Sequence, residues 1–147
     1  MTESDPRTIL NSLIETCKDG ERGLLHAAEL VTSPNLKTFF IDTADRRGKF
    51  AAELLPHAQR LGGAETADGT VAATFHRTWM DLRSALSGDD EHAVVSEARR
   101  GDSVTVLAFK SAVEGPLPAT VRDLVERGYD DVRAWHLRFA DFNGVTQ

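Results

Sequence analysis

The sequence predicts an all-α protein: a four-helix bundle of two antiparallel helix hairpins joined by a crossover that contains a short amphipathic helix. Three observations carry this expectation. Apolar residues recur at helical spacing almost everywhere, and no segment sustains period-two alternation. Breaker residues punctuate the chain at "TSPN", "GGAETADG", "SGDD" and "EGPLP". Two of those breaks are tight, so the helices flanking them must fold back on each other, whereas the middle connection is long.

The first helix, about Pro6 to Val31, places Leu10, Leu13, Ile14, Cys17, Leu24, Ala28 and Val31 on one stripe. Pro34 then suits the first position of a second helix, about Pro34 to Leu61, whose stripe is Leu36, Phe40, Thr43, Phe50, Leu54, Ala58 and Leu61. Pro56 lies inside that helix, but the stripe stays in phase beyond it, so a kinked, continuous helix with Pro56 facing away from the core is expected. Gly62-Gly63 ends it. The crossover helix, about Val71 to Ser87, carries Val71, Phe75, Trp79, Leu82 and Leu86, and at about 1.5 Å per residue it runs much of a bundle's length. A fourth helix, about Asp90 to Val113, turns inward Val95, Ala98, Thr105, Val106, Phe109 and Val113, with Asp89 or Asp90 as its cap. The last, about Pro118 to Phe142, buries Val121, Leu124, Val132, Trp135, Phe139 and Phe142. A plain up-and-down five-helix array is the alternative topology.

With 147 residues, 41% apolar and 27% charged, the chain suits a single globular domain spanning 1–147. The net charge of −6 is interleaved, with no Lys/Arg run, which argues against nucleic acid or an anionic membrane as partner. Cys17 is the only cysteine, which excludes an internal disulfide and a CxxC motif. The opening "MTESDPRTIL" lacks the pattern of a secretory signal, and no apolar stretch approaches eighteen residues, so a cytoplasmic location is expected.

Polar residues interrupt the apolar stripes at similar heights. Glu21 falls near the centre of the first stripe, whereas Asp19 points the opposite way. Arg47 takes the centre of the second stripe, Asp102 that of the fourth helix, and Gly128 the corresponding place in the last. Glu21 to Arg47 and Asp102 to Gly128 are both 26 residues, which puts the four near one level if both hairpins turn as drawn. Shifting the first hairpin by 81 residues superposes Gly20-Glu21 on Gly101-Asp102, consistent with internal duplication.

The segments "LNSLIETCKDGERGLLHAAELV", "RRGKFAAELL", "FHRTWMDLRSAL" and "EARRGDSVTVLAF" together resemble a bacterial family of ferritin-like four-helix-bundle proteins of unknown function, over about Ile9 to Phe139. The resemblance implies the bundle fold, a loose association with stress and no established reaction.

Di-iron ferritin-like proteins take a Glu from each of two helices and a Glu-x-x-His from each of the other two. Glu21 and Asp102 meet the first requirement, but no Glu-x-x-His occurs in the chain. Two readings follow. In the favoured one, Arg47 is the counter-charge of Glu21 and Asp102, and a buried Glu21–Arg47–Asp102 cluster beside Gly128 replaces a lost metal centre in a non-catalytic protein. In the alternative, Glu21 and Asp102 bind iron or manganese with Glu53, His57 or His136 recruited, as in an oxidase, peroxidase or metal-storage protein. The position of Arg47 discriminates between them. A small molecule in space left by Gly128 is a third idea.

The remaining candidates read as structural. Glu53 and His57 share a flank near the end of the second helix, His136 edges the last stripe beside Trp135, and Cys17 reads as an apolar core residue. Val104 and Leu107 face away from the main stripe, so either the crossover helix covers them with Phe75 or Trp79, or that outer face is the interface of a homodimer.

Overall fold

The computed structural model describes residues 5–62 and 91–143, with no side chain at 143. They form four long helices, α1 (Pro6–Glu29), α2 (Pro34–Arg60), α3 (Glu91–Val113) and α4 (Ala119–Leu137), and a short α5 (Ala140–Asn143); no strand occurs among the described residues. The expected crossover helix at Val71–Ser87, and the caps Asp89 and Asp90, lie outside them.

Local chemistry explains most boundaries. Asp5 caps α1 by accepting from the Arg7 N–H at 3.1 Å, and Pro6 takes the first helical position, where its missing N–H is no loss. Ser33 and Pro34 repeat the device at α2. Lys37 reaches back to the Ala28 carbonyl at 2.6 Å, satisfying one of the free acceptors at the end of α1. α2 runs without interruption through Pro56, which is exposed, and stops where Gly62 adopts φ +84°. α4 has no side-chain N-cap; instead Arg122 donates to the carbonyls of Val113 and Gly115, both at 2.6 Å, and thereby ties the α3–α4 turn shut.

The helix directions follow from contacts between element ends. α1 and α2 form one antiparallel hairpin and α3 and α4 the other. The end of α1 meets the start of α3, because Glu91 Oε2 accepts from the Thr32 N–H at 2.5 Å, the Thr32 hydroxyl at 2.7 Å and the Ser33 N–H at 3.2 Å. The Ile9 side chain lies against Gly115 at the other end. α2 and α3 therefore run parallel, and α2 ends at the opposite end of the bundle from where α3 begins.

The core of the described residues is two apolar clusters stacked along the bundle axis. The upper one gathers Leu24, Val31, Leu36, Phe39, Phe40, Val94, Val95 and Phe139; the lower one gathers Leu10, Leu13, Leu54, Phe109, Val121 and Val125. Leu61 is exposed because it lies past the last turn of α2. The last helix, expected to run unbroken to Phe142, is interrupted at Arg138 and Phe139. No proline or glycine marks that break. Phe139 packs edge-on to Phe39 at 4.9 Å and Phe142 stacks on the same ring at 4.9 Å, so tertiary aromatic packing supplies the reason.

The Glu91 clamp joins the two hairpins at one end, and its carboxyl is held below the ordinary range by the Thr32 and Ser33 donors. A depressed folded value means its contribution is complete above about 4.3 and disappears as pH falls through the lower folded value. Glu91→Gln is expected to lower the melting temperature at pH 7, with the difference from wild type shrinking below about pH 4 in thermal unfolding followed by circular dichroism.

Candidate functional site

Between the two apolar clusters lies a polar layer centred on Arg47. Its side chain is only 1% exposed, although arginine is almost never buried without a partner. That partner is Asp102, fully buried on α3: Arg47 Nε donates to Oδ1 at 3.2 Å, and Nη2 donates to Oδ1 at 3.0 Å and to Oδ2 at 3.2 Å. The fork of the guanidinium matches the carboxylate and carries its charge delocalised, which is why arginine rather than lysine suits this position. His136 of α4 completes the group, with Nδ1 2.9 Å from Asp102 Oδ2. An ionised carboxylate only accepts, so the shared hydrogen belongs to Nδ1. One carboxylate thus joins α2, α3 and α4.

Glu21 sits elsewhere than at Arg47. It is half-buried and makes no hydrogen bond or ion pair among the described residues. Its carboxylate lies on the backbone of Gly48 in α2, where a Cβ would fall 2.5 Å from Oε2. The physical reason is that the guanidinium is turned fully toward Asp102. Asp19, expected to face outward, is only 3% exposed and bonds Arg22 at 2.5 Å. α1 is buried along a second stripe, Thr16–Asp19–Gly23, which an assignment based on a single core face misses.

Gly128 does not share the level of Asp102. A Cβ there would meet Phe50 Cζ at 2.1 Å and Phe109 Cε1 at 2.7 Å, so these two rings fill the space beside it and leave none for a small molecule. The cause is register. Pro34, where α2 opens, would map to Gly115 under a shift of 81, but α4 opens at Ala119, about one helical turn later. His136 therefore comes level with Asp102. Its signal in the sequence was its place at the edge of the α4 stripe, one residue beyond Trp135.

Among the described residues, three buried polar side-chain atoms have no hydrogen-bond partner: Arg47 Nη1, Thr16 Oγ1 and Thr105 Oγ1. Gly20 makes room at this level, since a Cβ there would lie 3.4 Å from Thr105 Oγ1 and 4.0 Å from Arg47 Cγ. Burial pushes the Cys17 thiol up to about 12, with Asp102 and Glu21 adding to the shift and Arg47 opposing it. A thiol so protonated is no nucleophile.

The residues do not fit a ferritin-type metal centre. Among the described residues, no three His, Cys, Asp or Glu side chains converge to hold an ion. Glu53 is exposed, and His57 Nδ1 contacts Arg60 Nη2 at 2.6 Å near the end of α2. Asp102, the acid best placed at the centre, is already taken by a guanidinium.

Gly128→Ala is expected to lower stability by about 1–3 kcal/mol, because its methyl group overpacks Phe50 and Phe109. Urea denaturation checks this, and a variant as stable as wild type would show that the rings are not held there.

A family model described as "Domain of unknown function (DUF2383)" matches residues 5–115, a span that takes in Arg47 and Asp102 and ends before His136. A comparison with curated proteins returned no match. Since the family model covers well over half of the sequence, the chain belongs to the DUF2383 family.

Proposed function

We propose that this protein is a non-catalytic ferritin-like bundle in which an Arg47–Asp102–His136 cluster stands where a di-metal centre would be. The observation that carries the reading is the bidentate contact of a fully buried Arg47 with Asp102. A cation fixed there repels a divalent ion and occupies the carboxylate that would bind it. The ferritin-like assignment is supported by the parallel run of α2 and α3 between two antiparallel hairpins, the connectivity of a bundle with one long crossover. Glu21 contributes to the layer as a half-buried neighbour rather than as a member of the ion pair.

The wider reading is a single-domain, cytoplasmic, bacterial protein acting through partners, with its link to stress taken from the ferritin-like resemblance alone. It forms a homodimer through the outer face of α3. Leu107, 62% exposed, supports that face, whereas Val104 packs partly against the upper cluster. The long, apolar spans of membrane proteins do not occur in its described helices.

Elemental analysis of untagged protein from cells grown with added iron and manganese tests the central part. The expected result is metal far below one equivalent per chain. Stoichiometric iron or manganese that disappears in Glu21→Ala would overturn the reading in favour of an oxidase or storage protein.

A further inference from the structure

Of the Arg47–Asp102–His136 group, His136 is the member that reaches the surface. Asp102 is fully buried and its charge is balanced by Arg47, so it acts as a fixed acceptor for the Nδ1–H of His136. In the neutral ring that contact sets the tautomer: Nδ1 keeps the hydrogen, and Nε2 carries the lone pair. The ring is 18% exposed. Its Nδ1 edge faces a buried carboxylate, and Nε2 lies on the opposite edge of the ring. Among the described residues no hydrogen bond engages Nε2. Phe139 lies 5.7 Å from the ring centroid and packs beside the ring. His57 and His26 lack this arrangement: His57 Nδ1 contacts Arg60, and His26 approaches Glu29 only at 3.7 Å.

We infer that His136 is a phosphoryl-acceptor site, modified at Nε2 by an acyl phosphate. A carboxylate-held imidazole with a free nitrogen is a nucleophile, because the carboxylate stabilises the positive charge that develops on the ring as it attacks. It is an acceptor rather than a turnover centre. Among the described residues no second nucleophile is offered beside it: Cys17 is buried and protonated, and Thr105 is fully buried. The class of electrophile follows from what lasts on imidazole, since acyl-imidazoles hydrolyse quickly in water whereas phosphoimidazoles persist. Arg133, one turn earlier and paired with Asp130, and Arg138, two residues later and stacked on Trp135, are both exposed and make this stretch of α4 cationic enough to meet a dianion.

In the step itself, the Nε2 lone pair forms the P–N bond as the P–O bond to the acyl oxygen breaks. The carboxylate leaves with that electron pair. The ring becomes a phosphoimidazolium whose charge is offset by the Nδ1–H···Asp102 contact. No oxidant or reductant takes part.

The test treats the full chain with acetyl phosphate and follows modification by intact mass, tandem mass spectrometry and phosphorus NMR. The expected result is one phosphoryl group on His136 Nε2, appearing before any on His26 or His57. It should be lost in His136→Gln and slowed by roughly tenfold or more in Asp102→Asn, where the tautomer is no longer enforced. Modification at Nδ1, or at His136 no faster than at His26 and His57, would overturn the assignment. Should Asp102→Asn fail to fold, nitrogen-15 NMR of wild-type protein decides: an Nδ1–H, unprotonated-Nε2 ring supports the proposal, and the reverse tautomer refutes it. The inference rests on the Asp102–His136 geometry alone, so metal content, which tests the proposed function, leaves it unaffected.

Discussion

An arginine side chain inside a helical bundle is tolerable only if its charge is met, and the central layer of this protein is arranged around meeting it. Taking a guanidinium and a carboxylate out of water costs several kcal/mol per ion, which their attraction offsets only when the geometry is good and other lone pairs are satisfied. Asp102 supplies the geometry with contacts of 3.0 to 3.2 Å, and His136 takes up an Asp102 oxygen at 2.9 Å. Each partner comes from a different helix, so the pair constrains the axial register of α2, α3 and α4 together. Apolar packing alone specifies register less sharply, because leucine stripes can slide by a turn at modest loss.

The small residues nearby follow from the same constraint. Gly20 lets α1 approach Thr105 and the stem of Arg47, and Gly48 receives the carboxylate of Glu21. Above the layer, Phe39 gathers Trp135, Phe139 and Phe142, while Arg46 and Arg138 stack on Trp135 at 4.9 and 4.2 Å. Arg46 is itself anchored by Asp131 of α4. α2 and α4 are thus joined by an ion pair on the outside, by aromatic rings inside and by the Arg47–Asp102–His136 group at the centre.

Much of this was legible in the sequence, for identifiable reasons. Leu10, Leu13, Cys17, Leu24, Phe40, Leu54, Phe109 and Val121 keep a period of 3.6 and are all buried, and Ser33, Pro34 and Gly62 mark boundaries by local chemistry. Arg47 and Asp102 stood out because a charge at the centre of an apolar stripe needs an explanation. What escaped was relational. The level of Asp102 in α4 depends on where the Gly115–Pro118 turn reverses the chain, and a duplication argument placed it about two turns too early, at Gly128 instead of His136. Glu21 and Asp19 exchanged roles because helical phase gives direction but not which neighbours surround a helix. The break at Phe139 has no local signal at all, being driven by rings brought together from α2 and α4.

The most direct measurement of the central claim is a double-mutant cycle on the buried pair, using urea unfolding of wild type, Arg47→Met, Asp102→Leu and the double variant. The account predicts that either single change costs about 3–5 kcal/mol, because Arg47→Met leaves buried Asp102 with His136 alone and Asp102→Leu leaves the guanidinium unmet, and that the double variant recovers most of the loss. Single changes that are mild and simply additive would contradict it, showing that the layer holds no obligatory ion pair.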